Sequence, residues 1–194
     1  MARKILHLDL DAFFCSVEEL LDPSLVGKAF AVGGSPQGRG VIASCSYAAR
    51  LKGVRSAMPA GKAIQLCPEL LMIHHRHHLY SEYSDRVMSI LHDTTPVVEQ
   101  VSVDEAFIDV SDLPQPLRMI AVGLQKRVAD ETQLPCSLGG ATNKLVAKMA
   151  NDYGKKQVRT GRAPRAITII EPGGEQAFMA PLDIQALWGF GPKT

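Results

Sequence analysis

The sequence predicts a mixed α+β fold, with one sheet that contains antiparallel strands and carries its helices on one face. The first observation is the order of elements from about Tyr80 onward: helix, strand, strand, helix, strand, helix, strand. The second is an apolar strand at the start of the chain that can join this sheet. The third is a hydrophobic content of 46% in 194 residues, enough for a substantial core. Together these features favour a layered α+β domain.

The first 77 residues are predicted to hold four short strands and three helices. The first helix has Phe13, Val17 and Leu21 at helical spacing. Asp22-Pro23 ends it, because the residue before a proline disfavours the helical conformation. A turn rich in glycine and proline at 33–40 separates two strands. In chain order the predicted elements are strand 3–10, helix 12–21, strand 29–33, strand 41–44, helix 46–52, helix 59–66 and strand 70–73.

The remaining residues are predicted to alternate long helices with strands. The first of these helices has Leu79, Val87 and Leu91 mostly on one side. Two apolar runs rich in β-branched residues follow, and such residues suit the pleated surface of a sheet. In chain order the predicted elements are helix 77–91, a strand on either side of Asp104-Glu105, helix 117–132, strand 136–139, helix 143–151 and strand 166–170.

Acidic residues stand at the ends of two predicted strands. Asp104 and Glu105 are adjacent, and adjacent strand residues point to opposite faces, so both reach one site only if the backbone bends there. The first strand ends in Asp9 and Asp11. Carboxylates brought together from separate strands repel one another unless a cation neutralises them, and hard oxygen ligands suit Mg²⁺. We expect a metal site for phosphoryl chemistry, with solvated strand-end acids as the alternative for any single residue.

Two further acids are interpreted as structural. Asp11 could serve the metal site, cap the helix that follows it or pair with a basic residue. We favour the cap, because aspartate is a preferred residue before the first helical turn. Asp109 alternates away from the neighbours expected for Asp104, so we expect it outside the site.

Basic residues occur in two patterns that suit phosphate. Tyr47 and Arg50 are three residues apart, so they share a helix face, and a guanidinium matches phosphate geometry. An arginine packed on a surface tyrosine is the commoner explanation for such a pair. Lys155 and Lys156 begin a basic stretch that continues as Arg159, Arg162 and Arg165. This stretch could bind phosphates or form a solvated loop.

Histidines and cysteines give no zinc pattern. The cluster His74, His75, His77 and His78 lacks matching cysteine or aspartate spacing, so we interpret it as surface polar residues. The four cysteines contain no C-x-x-C pair and are expected to be reduced thiols. No signal peptide opens the chain, and no apolar run approaches the ~18 residues of a membrane span. We expect a cytoplasmic protein without a membrane partner.

Four segments together resemble the Y-family translesion DNA polymerases, most closely the bacterial DNA polymerase IV type. Each segment alone is modest, but their order and spacing are specific, and the resemblance runs from Lys4 to the C-terminus. The segments are Asp9-Leu10-Asp11-Ala12-Phe13-Phe14, Tyr47-Ala48-Ala49-Arg50, Ser102-Val103-Asp104-Glu105-Ala106 and Asn143-Lys144-Leu145-Val146-Ala147-Lys148.

The resemblance implies a ferredoxin-like palm with a mixed, largely antiparallel sheet, made of residues 1–17 and 78–175. It implies a small α/β fingers domain at 18–77. Residues 176–194 would begin a thumb, because Gly189-Phe190-Gly191-Pro192 followed by a lysine is similar to a helix-hairpin-helix turn. We therefore expect a truncated chain that lacks the rest of the thumb and the little finger.

The resemblance also implies a two-metal site. Asp9, Asp104 and Glu105 would hold two Mg²⁺ ions, for which Mn²⁺ can substitute. The Leu10 carbonyl would be a further ligand.

The remaining family residues would bind the incoming nucleotide. Tyr47, Arg50 and Lys155 would grip the triphosphate, and Ser44 would lie beside it. Phe14 resembles the steric gate, a ring that stacks under the sugar and collides with a ribose 2′-hydroxyl. The family usually has proline where this chain has Lys156, which leaves open whether Lys155 or Lys156 contacts the triphosphate.

The function implied is error-prone, template-directed DNA synthesis, in which deoxynucleotides are added to a primer 3′-hydroxyl. The implied partners are primer-template DNA, deoxynucleoside triphosphates and a sliding clamp bound through the missing C-terminal region, with the chain a monomer. Without thumb and little finger we expect weak activity or none, because phosphate contacts are lost.

Two other functions were weighed against polymerase activity. A non-catalytic Y-family paralogue in the DNA-damage response would lose metal carboxylates, whereas Asp9, Asp104 and Glu105 are all present. A nucleotidyl cyclase would carry a Gly-Gly-Asp-type turn, and Gly139-Gly140-Ala141 lacks the acid.

Overall fold

The computed structural model describes residues 2–158 and 160–188. Its elements follow the predicted order. They are β1 (Ile5–Leu10), α1 (Phe13–Leu21), β2 (Phe30–Gly33), β3 (Ile42–Cys45), α2 (Tyr47–Leu51), α3 (Ala60–Leu66), β4 (Leu71–Ile73), α4 (His77–Thr94), β5 (Val98–Gln100), β6 (Glu105–Asp109), α5 (Leu117–Thr132), β7 (Cys136–Ala141), α6 (Lys144–Gln157), β8 (Ile167–Ile169) and α7 (Glu175–Met179).

A five-stranded sheet in the order β5-β6-β1-β7-β8 is the larger of two sheets. Strand β1 lies at its centre and runs antiparallel to both β6 and β7, while β7 and β8 are parallel. His7 on β1 faces Phe107 on one side and Gly139 on the other. The predicted α+β fold with a mixed, largely antiparallel sheet is confirmed.

Helices cover both faces of this sheet, which corrects the expectation that they share one. Leu6 and Leu8 of β1 point into a core shared with α1, α4 and α5. Ile5 points the other way, into a cluster with Val146 and Ala147 of α6. Successive strand residues alternate between faces, so Ile5 and the fully buried His7 lie on the second face, which also needs a cover. Helix α6 supplies the second one.

A second, three-stranded sheet in the order β3-β2-β4 is built from the segment between α1 and α4. Strands β2 and β3 are antiparallel, and β2 and β4 are parallel. A small apolar cluster on one side joins Ala31, Ile42 and Ala63. On the other side Phe30 and Val32 join the core of the larger sheet. The two sheets therefore share buried contacts.

Helix α6 is longer than predicted and continues through Gly154 to Gln157. The sequence predicted its end at Asn151, with a basic loop beyond. Glycine weakens a helix, so Gly154 inside α6 needs an explanation. The glycine has a packing reason: a Cβ at this position would lie 2.2 Å from Thr168 Oγ1 on the neighbouring β8. Lys155 and Lys156 are therefore on a helix, not in a loop.

Part of two predictions falls outside the described residues. These parts are Arg159, which belongs to the basic stretch, and the helix-hairpin-helix turn at Gly189-Phe190-Gly191-Pro192. Within 2–158 and 160–188, the structure contains no helix with the length and apolar character of a bilayer span.

Candidate active site

Three carboxylates lie at one end of the larger sheet. Asp9 on β1 and Glu105 on β6 are direct partners in the antiparallel register, so their side chains leave the same face. Asp104 lies in a bend just before β6, and its carbonyl accepts a hydrogen bond from Leu10 N at 2.9 Å. The bend predicted for the acidic pair is present.

The hydroxyl of Ser102 shapes this bend. It donates to Asp104 Oδ1 at 2.6 Å and accepts from the Glu105 N–H at 3.1 Å. A serine that bonds nearby backbone offers the chain an alternative to strand pairing, which is the local reason for the turn. Because of this turn, the strict alternation of a strand does not direct the adjacent Asp104 and Glu105 to opposite faces.

Lysines from α6 balance the charge of these carboxylates. Lys155 pairs with Asp9, and Lys148 pairs with Glu105. Burial opposes the charge on Lys155, but Asp9 and Asp11 outweigh burial and raise the pKa of the ammonium. The hydrogen bond from His7 lowers the pKa of Glu105. Burial opposes this effect, but Lys148 adds to it, and the pKa falls to about 2. Lys155 and Glu105 are therefore ionised at neutral pH.

The donor set suits a hard divalent cation. Asp9, Asp104 and Glu105 offer only oxygen ligands, the type that Mg²⁺ prefers. Burial, helped by the charges of Asp9 and Glu105, raises the pKa of Asp104, and a bound cation would oppose that effect. In the described part of the chain no group of three His, Cys, Asp or Glu side chains has converged into a metal cluster. Instead, two of the three carboxylates, Asp9 and Glu105, form ion pairs with lysines.

A cleft of about 190 Å³ adjoins the carboxylates and brings together residues of both sheets. It contains most of the predicted site residues, whereas Glu105 and Tyr47 are not part of its lining. The lining residues are Asp9, Leu10, Ala12, Phe13, Phe14, Ala43, Ser44, Arg50, Ser56, Asp104 and Lys155.

Tyr47 and Arg50 lie together beside the cleft, as their spacing predicted. The Arg50 guanidinium lies 4.7 Å from the centre of the Tyr47 ring, and Arg50 Nε donates to the Cys45 carbonyl at 3.2 Å. Burial and the nearby charge of Asp11 raise the pKa of the Tyr47 phenol. The phenol therefore stays protonated and able to donate a hydrogen bond.

Phe14 lines the cleft and rests on a second aromatic ring. Its ring stacks on Tyr80 with centroids 4.2 Å apart and planes inclined by 14°. The Tyr80 hydroxyl donates to buried Glu18 at 2.7 Å. The stack restricts how far the Phe14 ring can move.

The phase of α6 turns Lys155 into the cleft and leaves Lys156 exposed. Besides Asp9, the Lys155 ammonium reaches Asp11 Oδ1 at 3.3 Å. The same helix carries Lys148 seven residues earlier, which places both lysines on one face.

Asp11 is not the helix cap that the sequence predicted. Ala12 occupies the cap position and makes no side-chain bond to the helix. Asp11 is fully buried, accepts from Ser137 Oγ at 2.9 Å and from Arg165 N at 3.0 Å, and pairs with Lys155. Pairing with a base was one of its three interpretations, and it is the arrangement observed.

Three residues near the site were missed by the sequence analysis: His7, Lys148 and Asn151. His7 contacts Glu105, and Asn151 contacts His7. The available signal was the strand period, because His7 shares the face of Asp9 two residues later. The contact with Asn151 had no sequence signal, since it depends on how α6 lies on the sheet.

One residue of the histidine cluster, His75, lies next to Phe14. The rings of His75 and His77 stack with centroids 4.8 Å apart, and His75 meets Phe14 edge-on at 6.2 Å. His74, His77 and His78 are exposed. In the basic stretch, Arg162 and Arg165 are exposed, and Arg165 contributes its backbone N–H to Asp11.

Comparisons with known proteins agree in one family. The family described as "IMS: impB/mucB/samB family" matches residues 8–152. DNA polymerase IV of Pseudomonas paraeruginosa is 43% identical, with 99% of this chain and 54% of the relative covered. DNA polymerase IV 2 of Mesorhizobium japonicum is 44% identical, with 98% and 43% covered. The chain thus spans about half the length of the curated relatives it matches.

Solved structures show the same likeness. DinB from Sulfolobus solfataricus superposes with a TM-score of 0.88 at 30% identity, and 98% of this chain and 55% of that chain are covered. An insertion ternary complex of Dbh DNA polymerase gives a TM-score of 0.88 at 29% identity, with the same coverage.

Proposed function

The chain belongs to the impB/mucB/samB family of Y-family DNA polymerases, and we propose that it carries the catalytic part of an error-prone translesion DNA polymerase. The reaction is template-directed transfer of a deoxynucleotide to a primer 3′-hydroxyl. The proposal rests on the cleft, which combines carboxylates at the end of the larger sheet with Ser44 of β3 and Arg50 of α2. A triphosphate bound in the cleft would face cationic side chains on one side and, on the other, carboxylates of the kind that bind metal ions.

Asp9, Asp104 and Glu105 are proposed to hold two Mg²⁺ ions, with the Leu10 carbonyl as a further ligand. When bound, the ions lower the pKa of the attacking hydroxyl and neutralise charge on the departing pyrophosphate, and Mn²⁺ can substitute for Mg²⁺. In the structure Lys155 pairs with Asp9, and Lys148 pairs with Glu105. Both lysines must therefore move away from these carboxylates for the metal ions to bind.

The basic and aromatic residues of the cleft are proposed to position the nucleotide. Arg50, Lys155 and the Tyr47 hydroxyl donate to triphosphate oxygens and stabilise charge that develops on the leaving group. Ser44 lies beside the triphosphate, and Phe14 supports the sugar. These residues act by positioning and electrostatics, which account for most of the catalysis in phosphoryl transfer.

The parts of the chain take the names used in the family. The larger sheet, from residues 1–17 and 78–175, is proposed as the palm, and residues 18–77 as the fingers. Residues 176–194 are proposed to begin the thumb. The proposed partners are primer-template DNA and deoxynucleoside triphosphates, with the chain acting in the cytoplasm as a monomer. A sliding-clamp contact would belong to the half of the relatives that this chain does not match.

Single-nucleotide insertion tests this proposal. The chain is incubated in excess over a labelled primer-template, with Mg²⁺ and low salt so that weak DNA binding suffices. We expect templated, Mg²⁺-dependent insertion that Asp104→Asn reduces by about 100-fold or more, because a ligand of the metals is lost. Asp112→Asn, an exposed acid outside the cleft, is the matched control and should keep the wild-type rate. Insertion that Asp104→Asn leaves unchanged, or insertion without dependence on Mg²⁺, would contradict the proposal.

A further inference from the structure

His7 is a buried polar residue at the centre of the larger sheet. Its side chain is fully buried, and its ring lies 4.7 Å from the Phe107 ring, centroid to centroid. Burying an imidazole without hydrogen bonds is costly, so each ring nitrogen needs a partner. The structure supplies one partner from α6 and one from β6.

The partner on α6 reaches His7 because a glycine lies opposite. Gly139 on β7 is the register partner of His7. A Cβ at Gly139 would lie 2.0 Å from the Ala147 carbonyl oxygen and 2.4 Å from Asn151 N. Only a residue without a side chain lets α6 approach the sheet this closely. Because of this close approach, the buried Asn151 amide lies within hydrogen-bond distance of the imidazole.

The contacts of Asn151 fix the direction of its amide. Its Nδ2 lies 3.2 Å from the His7 carbonyl oxygen and 3.1 Å from the Ser137 carbonyl oxygen. Carbonyl oxygens only accept, so the donor end of the amide must face them. The same Nδ2 lies 3.0 Å from His7 Nδ1. Among the described residues Asn151 Oδ1 has no partner, so the two backbone carbonyl oxygens beside Nδ2 alone determine the orientation of the amide.

This orientation fixes the tautomer of His7. Nδ1 accepts from Asn151, so the proton of the neutral ring is on Nε2. His7 Nε2 then donates to Glu105 Oε2 at 3.1 Å. Lys148 binds the same oxygen. Within residues 2–158 and 160–188 no hydrogen bond reaches Glu105 Oε1.

We propose that His7, oriented by Asn151, is a positioning residue that holds Glu105 by one oxygen and keeps the other directed to a divalent cation. The inference rests on the proposed function, since it assigns Glu105 to the metal site. Lys148 also contacts Oε2, but a flexible ammonium can leave when a metal arrives. His7 cannot leave, because it is buried and tied to α6. The Asn151–His7 pair therefore keeps Glu105 in place through metal binding.

Nitrogen-15 NMR of histidine-labelled wild-type chain tests the tautomer directly. We expect the His7 resonances to show a proton on Nε2 and none on Nδ1, and Asn151→Leu to change the Nδ1 resonance. A neutral His7 with its proton on Nδ1 would overturn the inference. This measurement needs no substitution at His7, so it decides even where a His7 variant fails to fold.

Mn²⁺ titration followed by electron paramagnetic resonance tests the effect on metal binding, with Mn²⁺ alone as the probe. We expect His7→Phe to weaken Mn²⁺ binding by about 10-fold to 100-fold, as for other residues that orient a metal ligand. His7→Gln, whose amide N–H can replace Nε2–H, should recover most of the affinity. His92→Gln, an exposed histidine at the end of α4, is the matched control and should bind like the wild type.

A Glu105→Gln variant distinguishes failure of the positioning role of His7 from failure of the proposed metal site. If Glu105→Gln weakens Mn²⁺ binding and His7→Phe does not, Glu105 is a ligand and only the positioning role is wrong. If neither substitution changes Mn²⁺ binding, Glu105 is not a ligand, and both the inference and the metal site are wrong. Loss in both, with recovery in His7→Gln, supports the inference.

Discussion

At the scale of single residues, Phe14 is the proposed selector of the sugar that the cleft accepts. We expect Phe14→Ala to reduce discrimination against ribonucleotides by about 10-fold to 100-fold, because the ring that would collide with a 2′-hydroxyl is gone. The measurement is the ratio of kcat/KM for a deoxynucleotide and its ribonucleotide. Phe14→Tyr keeps the ring and should keep the ratio near that of the wild type. Unchanged discrimination in Phe14→Ala would remove Phe14 from this role.

Lys155 and Lys156 give a matched pair on one helix. We expect Lys155→Ala to raise KM for the nucleotide by about 10-fold to 100-fold, because a charge-assisted hydrogen bond contributes about 1.5–3 kcal/mol. Lys156→Ala should change KM by less than about twofold, because Lys156 is exposed outside the cleft. Steady-state insertion kinetics measure both. An equal or larger effect of Lys156→Ala would show that the helix presents its other side to the nucleotide.

The sequence could predict the carboxylates of the site but not the groups that compensate their charge. Asp104 and Glu105 stand beside a local turn, so the bend follows from nearby residues. The role of Asp11 depended on Ser137 and Lys155, which are more than a hundred residues away in the chain. Long-range partners of this kind leave no local pattern, and the capping preference of aspartate was therefore misleading.

At the scale of elements, the approach of α6 to β7 is the contact that positions Lys148, Asn151 and Lys155. We expect Gly139→Ala to lower the free energy of unfolding by about 1–3 kcal/mol or more, because the added Cβ overlaps backbone atoms of α6. Gly123→Ala on α5 is the matched control. No atom lies within 4 Å of its added Cβ, so it should stabilise the helix by about 0.5–1 kcal/mol. Urea unfolding of both variants measures the difference, and equal effects would contradict the described packing.

Asp109 ties the end of β6 to the start of the chain. It accepts from Ser111 N at 3.0 Å and from Arg3 at 2.9 Å. Burial opposes the charge of the carboxylate, but Ser111 and Arg3 outweigh burial and lower its pKa. Because the folded-state pKa lies below the unfolded value, the stabilisation is present above pH ~4 and is lost as the pH falls through the folded-state pKa.

The pH dependence of one variant tests this contribution. We expect Asp109→Ala to lower the free energy of unfolding by about 1 kcal/mol at pH 7, and the difference from the wild type to shrink as the pH falls below ~4. Urea unfolding between pH 7 and pH 3 measures it. A difference that stays constant over this range would show that the charge of Asp109 does not contribute.

Element order could be predicted from the sequence, whereas helix placement and one helix end could not. Periodicity identified the strands and the long helices because it depends on neighbouring residues. The end of α6 was misplaced because Gly154 is explained by contact with Thr168 of another strand. The same limit applied to the second face of the sheet, since Ile5, His7 and Asp9 on that face of β1 do not form an apolar pattern that predicts a covering helix.

At the scale of the whole molecule, the cleft exists because two sheets share one core. The metal-type ligands come from the larger sheet and α6 supplies Lys155, while Ser44 and Arg50 come from the smaller sheet and the helix after it. Neither sheet alone has both halves of a triphosphate site. The net charge of +1 does not reveal this, because Arg50 and Lys155 lie in the cleft beside carboxylates that balance their charge.

Asp9, Asp104 and Glu105 are proposed to share divalent cations next to a bound triphosphate. A crystal of the chain soaked with Mn²⁺ and a deoxynucleoside triphosphate tests it most directly, because anomalous scattering locates Mn²⁺ without ambiguity. We expect Mn²⁺ bound by all three carboxylates, with Lys155 and Arg50 on the triphosphate and Lys148 moved away from Glu105. A bound triphosphate with no Mn²⁺ at these carboxylates would contradict the claim.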